Sequence, residues 1–460
     1  MKITRHFVDV GPRRVHYRRY GQGPVLLMIH QSPRSSAEYI PLMRQWGAHF
    51  TCIAPDSPGF GQSDPLAIPE PSIDDFADAL VDLLDALGLD RAPAYGFHSG
   101  GIILVSALQR HPERFTALAI GGYAVWTPEE MRAFSASYLP PFQPQGYGEH
   151  LVWLWNRILE QSWFFPWFAV APAMRLSGAH DDPTKVDAVV REMLDSGDAY
   201  RAGYGAVLRA PRTMPAPDAP SRPVLITAYD GDPLQAHIER LGDLPTDWVA
   251  NTVATPADHQ QASYDFLASY PAPLPAQLGE ASDQGFLSVQ APGFDGLIHW
   301  RGMRGATLHI HGPGRALELL DGAELAIDLP GHGLSDAWDR TPPTDPAAWQ
   351  AVIAAAMTQL GATTLLYEDV PIGDPDRLFP DLAPDRFGAY LTRAWSIVRA
   401  RHLFAPWYEA SKATALAFDP AALAPERLAI EHRALLRASA ARAWCTARSA
   451  MEKVGRSSRR

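Results

Sequence analysis

With 460 residues, 47 % of them hydrophobic, the chain is long enough for two ordinary globular cores. Acidic residues outnumber basic ones 51 to 40. The net charge of −11 excludes the basic stripe of a nucleic-acid surface and suits anionic lipid headgroups poorly.

Two cysteines, Cys52 and Cys445, cannot build a disulfide framework or a multi-cysteine zinc site. Cys52 lies in the apolar run 50–54 and is expected to be buried and inert. Few cysteines in a long chain suit a reducing compartment. Residues 1–10 lack the apolar core and cleavage site of a secretory leader. No apolar run approaches the roughly 20 residues that span a bilayer. These features predict a soluble cytoplasmic protein. The short basic tail 456–460 reads as a solvated end.

The elements follow in chain order. A hairpin is expected across residues 8–20, around Val10-Gly11-Pro12. Residues 25–29 and 50–54 are continuous apolar runs, as strands buried on both faces require. In 73–87, Phe76, Leu80, Leu83, Leu84 and Leu87 share one helical face, with Ser72 as N-cap and Gly88 just past the end. Residues 92–96 read as a strand, 100–110 as a buried helix and 118–123 as a strand. Residues 149–196 read as helical and are crowded with aromatics. Residues 224–228 and 248–253 are the last strands of this part. The order predicts an α/β fold: a mainly parallel sheet flanked by helices, with an α-helical cap.

The chain also repeats itself. APDSPGFGQSDP at 54–65 returns as AIDLPGHGLSDA at 326–337. Val15-His16-Tyr17-Arg18 matches Ile298-His299-Trp300-Arg301, LMIH at 27–30 matches LHIH at 308–311, and FFPWF at 164–168 matches FAPWY at 404–408. Asp56 to Asp328 and Tyr95 to Tyr367 are both 272 residues apart, but Trp155 to Trp395 is only 240. The second copy has therefore lost about 32 residues between Tyr367 and Trp395. Leu366-Tyr367-Glu368-Asp369-Val370-Pro371 stands where the first copy has its glycine-rich turn. His311, His332 and His402 read as structural residues.

Four features carry a resemblance: the His30 turn, the DSPGFGQSD segment at 56–64, the GFHSGG turn at 96–101 followed by HPERF at 111–115, and late Asp-Pro and His sites. On these the chain resembles the α/β-hydrolase superfamily. The resemblance covers 1–272 fully and about 286–450 in degenerate form. It implies an α/β-hydrolase domain at 1–272 with a cap at about 126–220, a linker at 273–285, and a truncated repeat at 286–460 without catalytic residues.

The resemblance also implies a site. The superfamily's nucleophile sits on a tight strand-to-helix turn of the form small-x-nucleophile-x-small. Gly96-Phe97-His98-Ser99-Gly100 puts His98 at the centre; the other register puts Ser99 there but needs bulky Phe97 at a small position. The twelve residues between His98 and His111 match the family spacing to HPER and favour His98. The acid is expected at Asp232, with Asp230 as the alternative, and the general base at His259. In that scheme Asp232 holds His259 in one tautomer, and His98 and His259 share the pocket. Backbone N–H groups of Ser99 and Ser32 would form the oxyanion hole. Gln31, Arg34, Trp153 and Trp163 are candidate substrate contacts, Arg34 for a carboxylate and the tryptophans for an apolar body.

No metal spacing such as HExxH appears, and no glycine-rich stretch fits a Walker or dinucleotide loop. No cofactor is expected. The expected partner is a small-molecule substrate, without nucleic acid or membrane. The leading function is an esterase-like hydrolase using His98 on an apolar acyl substrate. A cofactor-free lyase or oxygenase and an inactive binding protein are the alternatives. A truncated second sheet would leave an edge suited to pairing between chains, giving a homodimer.

Overall fold

The computed structural model describes residues 2–176, 178, 180–212, 214–218, 221–275 and 277–457. The last three residues of the basic tail lie outside them. The chain divides into two compact units, Met1–Gln143 with Asn156–Ala281, and Pro144–Trp155 with Ser282–Arg460.

The first unit holds strands β1 Thr4–Val10, β2 Arg13–Gly21, β3 Val25–Ile29, β4 Thr51–Pro55, β5 Ala92–Phe97, β6 Phe115–Gly121, β7 Val224–Tyr229 and β8 Trp248–Val253. They form one sheet in the order β1-β2-β4-β3-β5-β6-β7-β8. β2 runs antiparallel to both β1 and β4; the remaining neighbours are parallel. β3 explains why a continuous apolar run was needed. Val25, Leu27 and Ile29 face one core, and Leu26 and Met28 face the other.

The helices are α1 Ile40–Trp46, α2 Ile73–Ala86, α3 Ser99–Arg110, α4 Pro128–Ser137, α5 Glu149–Gln161, α6 Pro183–Ser196, α7 Tyr200–Arg209 and α8 Pro256–Ala268. Ser72 caps α2 as the sequence suggests, in a reciprocal capping box with Asp75. The stretch 149–196 is not one helical run. Between α5 and α6 the described residues are irregular apart from the turn Pro172–Met174 and a bridge between Phe164 and Arg175.

The second unit has strands β9 Gln284–Ala291, β10 Phe294–Gly302, β11 Leu308–Ile310, β12 Leu325–Ile327 and β13 Leu365–Tyr367. Its sheet order, β13-β11-β12-β10-β9, reproduces β5-β3-β4-β2-β1 of the first unit. Helices α9 Pro346–Leu360, α10 Pro375–Leu378, α11 Ala389–Arg401, α12 Pro425–Leu436 and α13 Ala441–Ser457 complete it. Trp300, Trp349 and Trp444 anchor its core. Within this unit Trp155 donates its indole N–H to the Arg386 carbonyl, and Trp395 donates to the Gly146 carbonyl, both at 3.2 Å. The two donors are 240 residues apart, and so are the two acceptors, which is the offset read from the sequence.

The repeated motifs build the same polar network in each unit. His16 Nδ1 meets Asp56 at 2.8 Å, and His299 Nδ1 meets Asp328 at 2.7 Å. Ser36 N–H donates to Asp56 and Leu317 N–H donates to Asp328, both at 2.8 Å. His30 Nε2 accepts from Ser57 N–H, and His311 Nε2 accepts from Leu329 N–H. These aspartates are spent on holding loops to the sheet.

Candidate active site

β5 ends at Phe97 and α3 begins at Ser99, so His98 alone makes the turn. With φ +47° it is the one non-glycine residue of positive φ among the described residues. Such strain persists only where the surroundings impose it. They do so here: a Cβ on Gly100 would lie 2.0 Å from the Ile29 carbonyl oxygen. The helix N-terminus can approach β3 only because residue 100 is glycine.

The turn presents the His98 imidazole to Asp232 in the loop after β7. Nε2 lies 3.1 Å from Oδ1 and 3.3 Å from Oδ2. The Asp232 side chain is fully buried, while that of His98 keeps 23 % of its surface exposed. Burial pushes the Asp232 carboxyl up, but His98 and the Leu234 N–H, 2.8 Å from Oδ1, hold it below the usual carboxylate range. Gly122, at φ +58°, makes room for the pair; a Cβ there would lie 2.7 Å from His98 Cδ2 and 3.0 Å from Asp232 Oδ2. Asp230 is engaged elsewhere, by the Gln235 side chain.

His259 does not join this pair, which corrects the expected Asp232–His259 contact. It lies inside α8, not in the loop after β8. Its Nε2 lies 2.8 Å from the Tyr95 hydroxyl, and its Nδ1 hydrogen-bonds with Thr227 Oγ1. Burial lowers its pKa to about 4, so it is neutral near pH 7. The Phe97 ring stacks on His98 at 4.1 Å and sits 5.8 Å from the His259 ring.

The oxyanion-hole expectation also changes. Ser32 N–H donates to Ser99 Oγ at 2.6 Å, so that donor is already engaged. Ser99 N–H opens α3, where no intrahelical acceptor exists. Among the described residues no histidine hydrogen-bonds to Ser99 Oγ, which leaves the alternative nucleophile without a base. Gln31 is tied to Glu38 through its backbone N–H at 2.8 Å and its side-chain amide at 3.2 Å. Arg34 pairs with Glu192 and stands 3.8 Å from Glu38. It is a structural ion pair and not a free cation for a substrate carboxylate.

The family model for the alpha/beta hydrolase fold matches residues 24–139. Haloalkane dehalogenase 2 of Mycobacterium tuberculosis (strain ATCC 25618 / H37Rv) is 32 % identical over 138 residues, 29 % of this chain and 48 % of that protein. Residues 24–139 thus carry the alpha/beta hydrolase fold. A haloalkane dehalogenase of Mesorhizobium japonicum is 29 % identical over 225 residues, 45 % of this chain and 63 % of that protein. The chain spans about half the length of the curated relatives it matches first. Among solved structures, a thermophilic esterase from Thermogutta terrifontis is 18 % identical at a TM-score of 0.43, covering 59 % of this chain and all of that one.

The aromatic cap packs largely on itself. Phe134, Tyr138 and Leu208 form a cluster joined by Trp126, Phe165, Trp167 and Phe168. Trp163 turns its indole N–H to the His180 carbonyl at 2.6 Å. Trp153 falls in the segment Pro144–Trp155 of the second unit. Among the described residues no hydrogen bond or ring contact joins Trp163 to His98.

A cavity of about 330 Å³ is lined by the expected site residues Gln31, Arg34 and His259 together with Tyr39, Tyr95, Phe97, Tyr229 and Glu38, which sequence reasoning missed. Burial raises the Glu38 carboxyl to about 7 despite Arg34 nearby. Glu38 stands four residues after Arg34, a spacing that on a helix signals pairing.

No helix among the described residues is long and apolar enough to cross a membrane.

Proposed function

We propose that this α/β-hydrolase-fold chain is an enzyme that hydrolyses an ester or related acyl bond of an apolar small molecule, with His98 and Asp232 as its chemical centre. The supporting observation is the 3.1 Å contact between His98 Nε2 and Asp232 Oδ1 on the strained turn. A carboxylate accepting from Nε2–H fixes the tautomer whose Nδ1 lone pair is basic. Among the described residues nothing hydrogen-bonds to that nitrogen. Nδ1 adds to the acyl carbon, and the tetrahedral oxyanion faces the Ser99 N–H. Collapse expels the alkoxide, which takes a proton from water and leaves as the alcohol. The hydroxide so formed adds to the acyl-imidazolium, whose Nε2–H stays on Asp232, and the acid is released as His98 is restored.

The test is turnover of a panel of short activated esters by the wild type, His98→Ala, Ser99→Ala and His259→Asn. Loss confined to His98→Ala supports the reading. Loss confined to Ser99→Ala overturns it in favour of a serine hydrolase.

One observation favours a second reading. With Ser32 N–H engaged by Ser99 Oγ, the oxyanion hole is short of a donor. A cofactor-free lyase, in which His98 only removes a proton from an acidic carbon, needs less oxyanion stabilisation. A wild type silent on every ester but able to exchange a substrate C–H proton would select it.

We infer also that the second unit is a truncated copy that does not catalyse alone. The matching sheet order and the matching His16–Asp56 and His299–Asp328 pairs support this.

A further inference from the structure

The second unit holds a cavity of about 370 Å³ that the chemistry above does not use. It opens at the carboxyl ends of the adjacent parallel strands β11 and β13, through Gly312–Arg315 and Asp369–Ile372. The end of α11, the segment after it and Glu431 of α12 close the other walls. Carboxyl ends of parallel strands are where α/β sheets receive ligands. The volume is that of a small-molecule site.

The charges around it do not balance. Arg315 is satisfied by Glu368 at 2.9 Å and by the Leu319 carbonyl at 3.0 Å. Glu431 is satisfied by His402 at 2.9 Å and Arg427 at 3.4 Å. Asp369 is an exposed rim residue. Arg401 remains. Among the described residues its guanidinium has no hydrogen bond and no ion pair, and its Nη2 is closed off from solvent. Its contact is with the Phe379 ring, 5.2 Å away. Burial, with Arg315 nearby, lowers its pKa to about 10, although Glu431 opposes this, so it stays charged near pH 7. Glu431, shared with His402 and Arg427, makes no ion pair with this enclosed cation, so an entering anion would offset its lost hydration. Phe404, Trp407 and Ile372 supply an apolar wall beside it.

We propose that this cavity is a binding site for a small monocarboxylate with an apolar or aromatic body, its carboxylate held by Arg401. The planar fork of arginine matches a carboxylate, and the Phe404–Trp407 wall takes the hydrocarbon end. A zwitterion or polar acid would leave its other charge against apolar side chains. The site is built from second-unit residues and does not require the first unit to be a hydrolase.

The test is calorimetric titration of the full chain with phenylacetate and with its neutral isostere phenylacetamide. Phenylacetate should bind saturably, and the amide at least about tenfold more weakly. Arg401→Leu should lose phenylacetate binding while its circular dichroism is unchanged. His98→Ala should keep the binding, which separates this site from the first unit. Should Arg401→Leu not fold, Arg401→Lys answers the question: it keeps the charge without the fork and should bind measurably more weakly than wild type. Equal affinity for acid and amide, undiminished binding in either Arg401 variant, or no saturable binding would each overturn the proposal.

Discussion

Asp232 lies against His98 and not against His259: its Oδ1 is 3.1 Å from His98 Nε2, while His259 is held by Tyr95 and Thr227. In the proposed chemistry one imidazole is therefore both the attacking group and the group that the carboxylate orients. Asp232→Asn replaces the carboxylate by a group that can present an N–H to Nε2, which favours the tautomer with the lone pair on the wrong nitrogen. Turnover should fall by at least about a hundredfold with little change in KM. Steady-state kinetics on the best ester of the panel would check it, and a drop of less than about threefold would remove Asp232 from the chemistry.

Ser99→Ala separates position from reactivity. The substitution removes the acceptor of the Ser32 N–H and leaves that buried donor unmatched. Stability should drop by about 1–3 kcal/mol in chemical denaturation. Turnover should stay within about tenfold of wild type, because the freed N–H becomes available to an oxyanion. Complete loss of activity in a folded variant would show that Ser99 carries the chemistry.

The sequence reading succeeded where packing dictates it and failed where side-chain pairing does. Leu26 to Ile29 could only be a two-sided buried strand, and the repeated His16–Asp56 and His299–Asp328 motifs announced a repeated local structure. Which carboxylate meets which imidazole is set by three-dimensional register, and spacing does not reveal it. Two signals were present but weak. Thr255 followed by Pro256 is a helix start, and its side chain does cap α8, which draws His259 into the helix. Glu38 four residues after Arg34 marked an internal ion pair. The partner Glu192, 158 residues away from Arg34, had no local signal.

His259 should make the protein acid-sensitive. Its pKa is about 4 in the fold against 6.5 for an ordinary histidine. The neutral ring is favoured by the folded state, so the stability it contributes is complete above pH 6.5 and is lost as the pH falls towards 4. That is ~3 kcal/mol at most. His237, whose pKa burial also lowers to about 4, adds in the same direction. Urea titrations at pH 7.5 and pH 4.5 on wild type and His259→Asn would measure it. The variant should be less stable at pH 7.5 and should lose less on acidification. A pH dependence equal to that of wild type would mean that His259 is not the group being charged.

Arg34 should matter for stability before it matters for substrate. Its guanidinium lies between Glu192 and Glu38, both largely shielded from water. Arg34→Ala leaves two carboxylates facing each other without a cation, an arrangement that costs about 3–5 kcal/mol when one partner of a buried pair is removed. Burial already pushes both acids upward, Glu38 to about 7, and without Arg34 they should rise further. The variant should therefore recover part of its lost stability as the pH falls from 8 to 6 and the carboxyls take up protons. A substrate-binding role would behave differently. It would raise KM for anionic substrates and leave the denaturation midpoint and its pH dependence where they are in wild type.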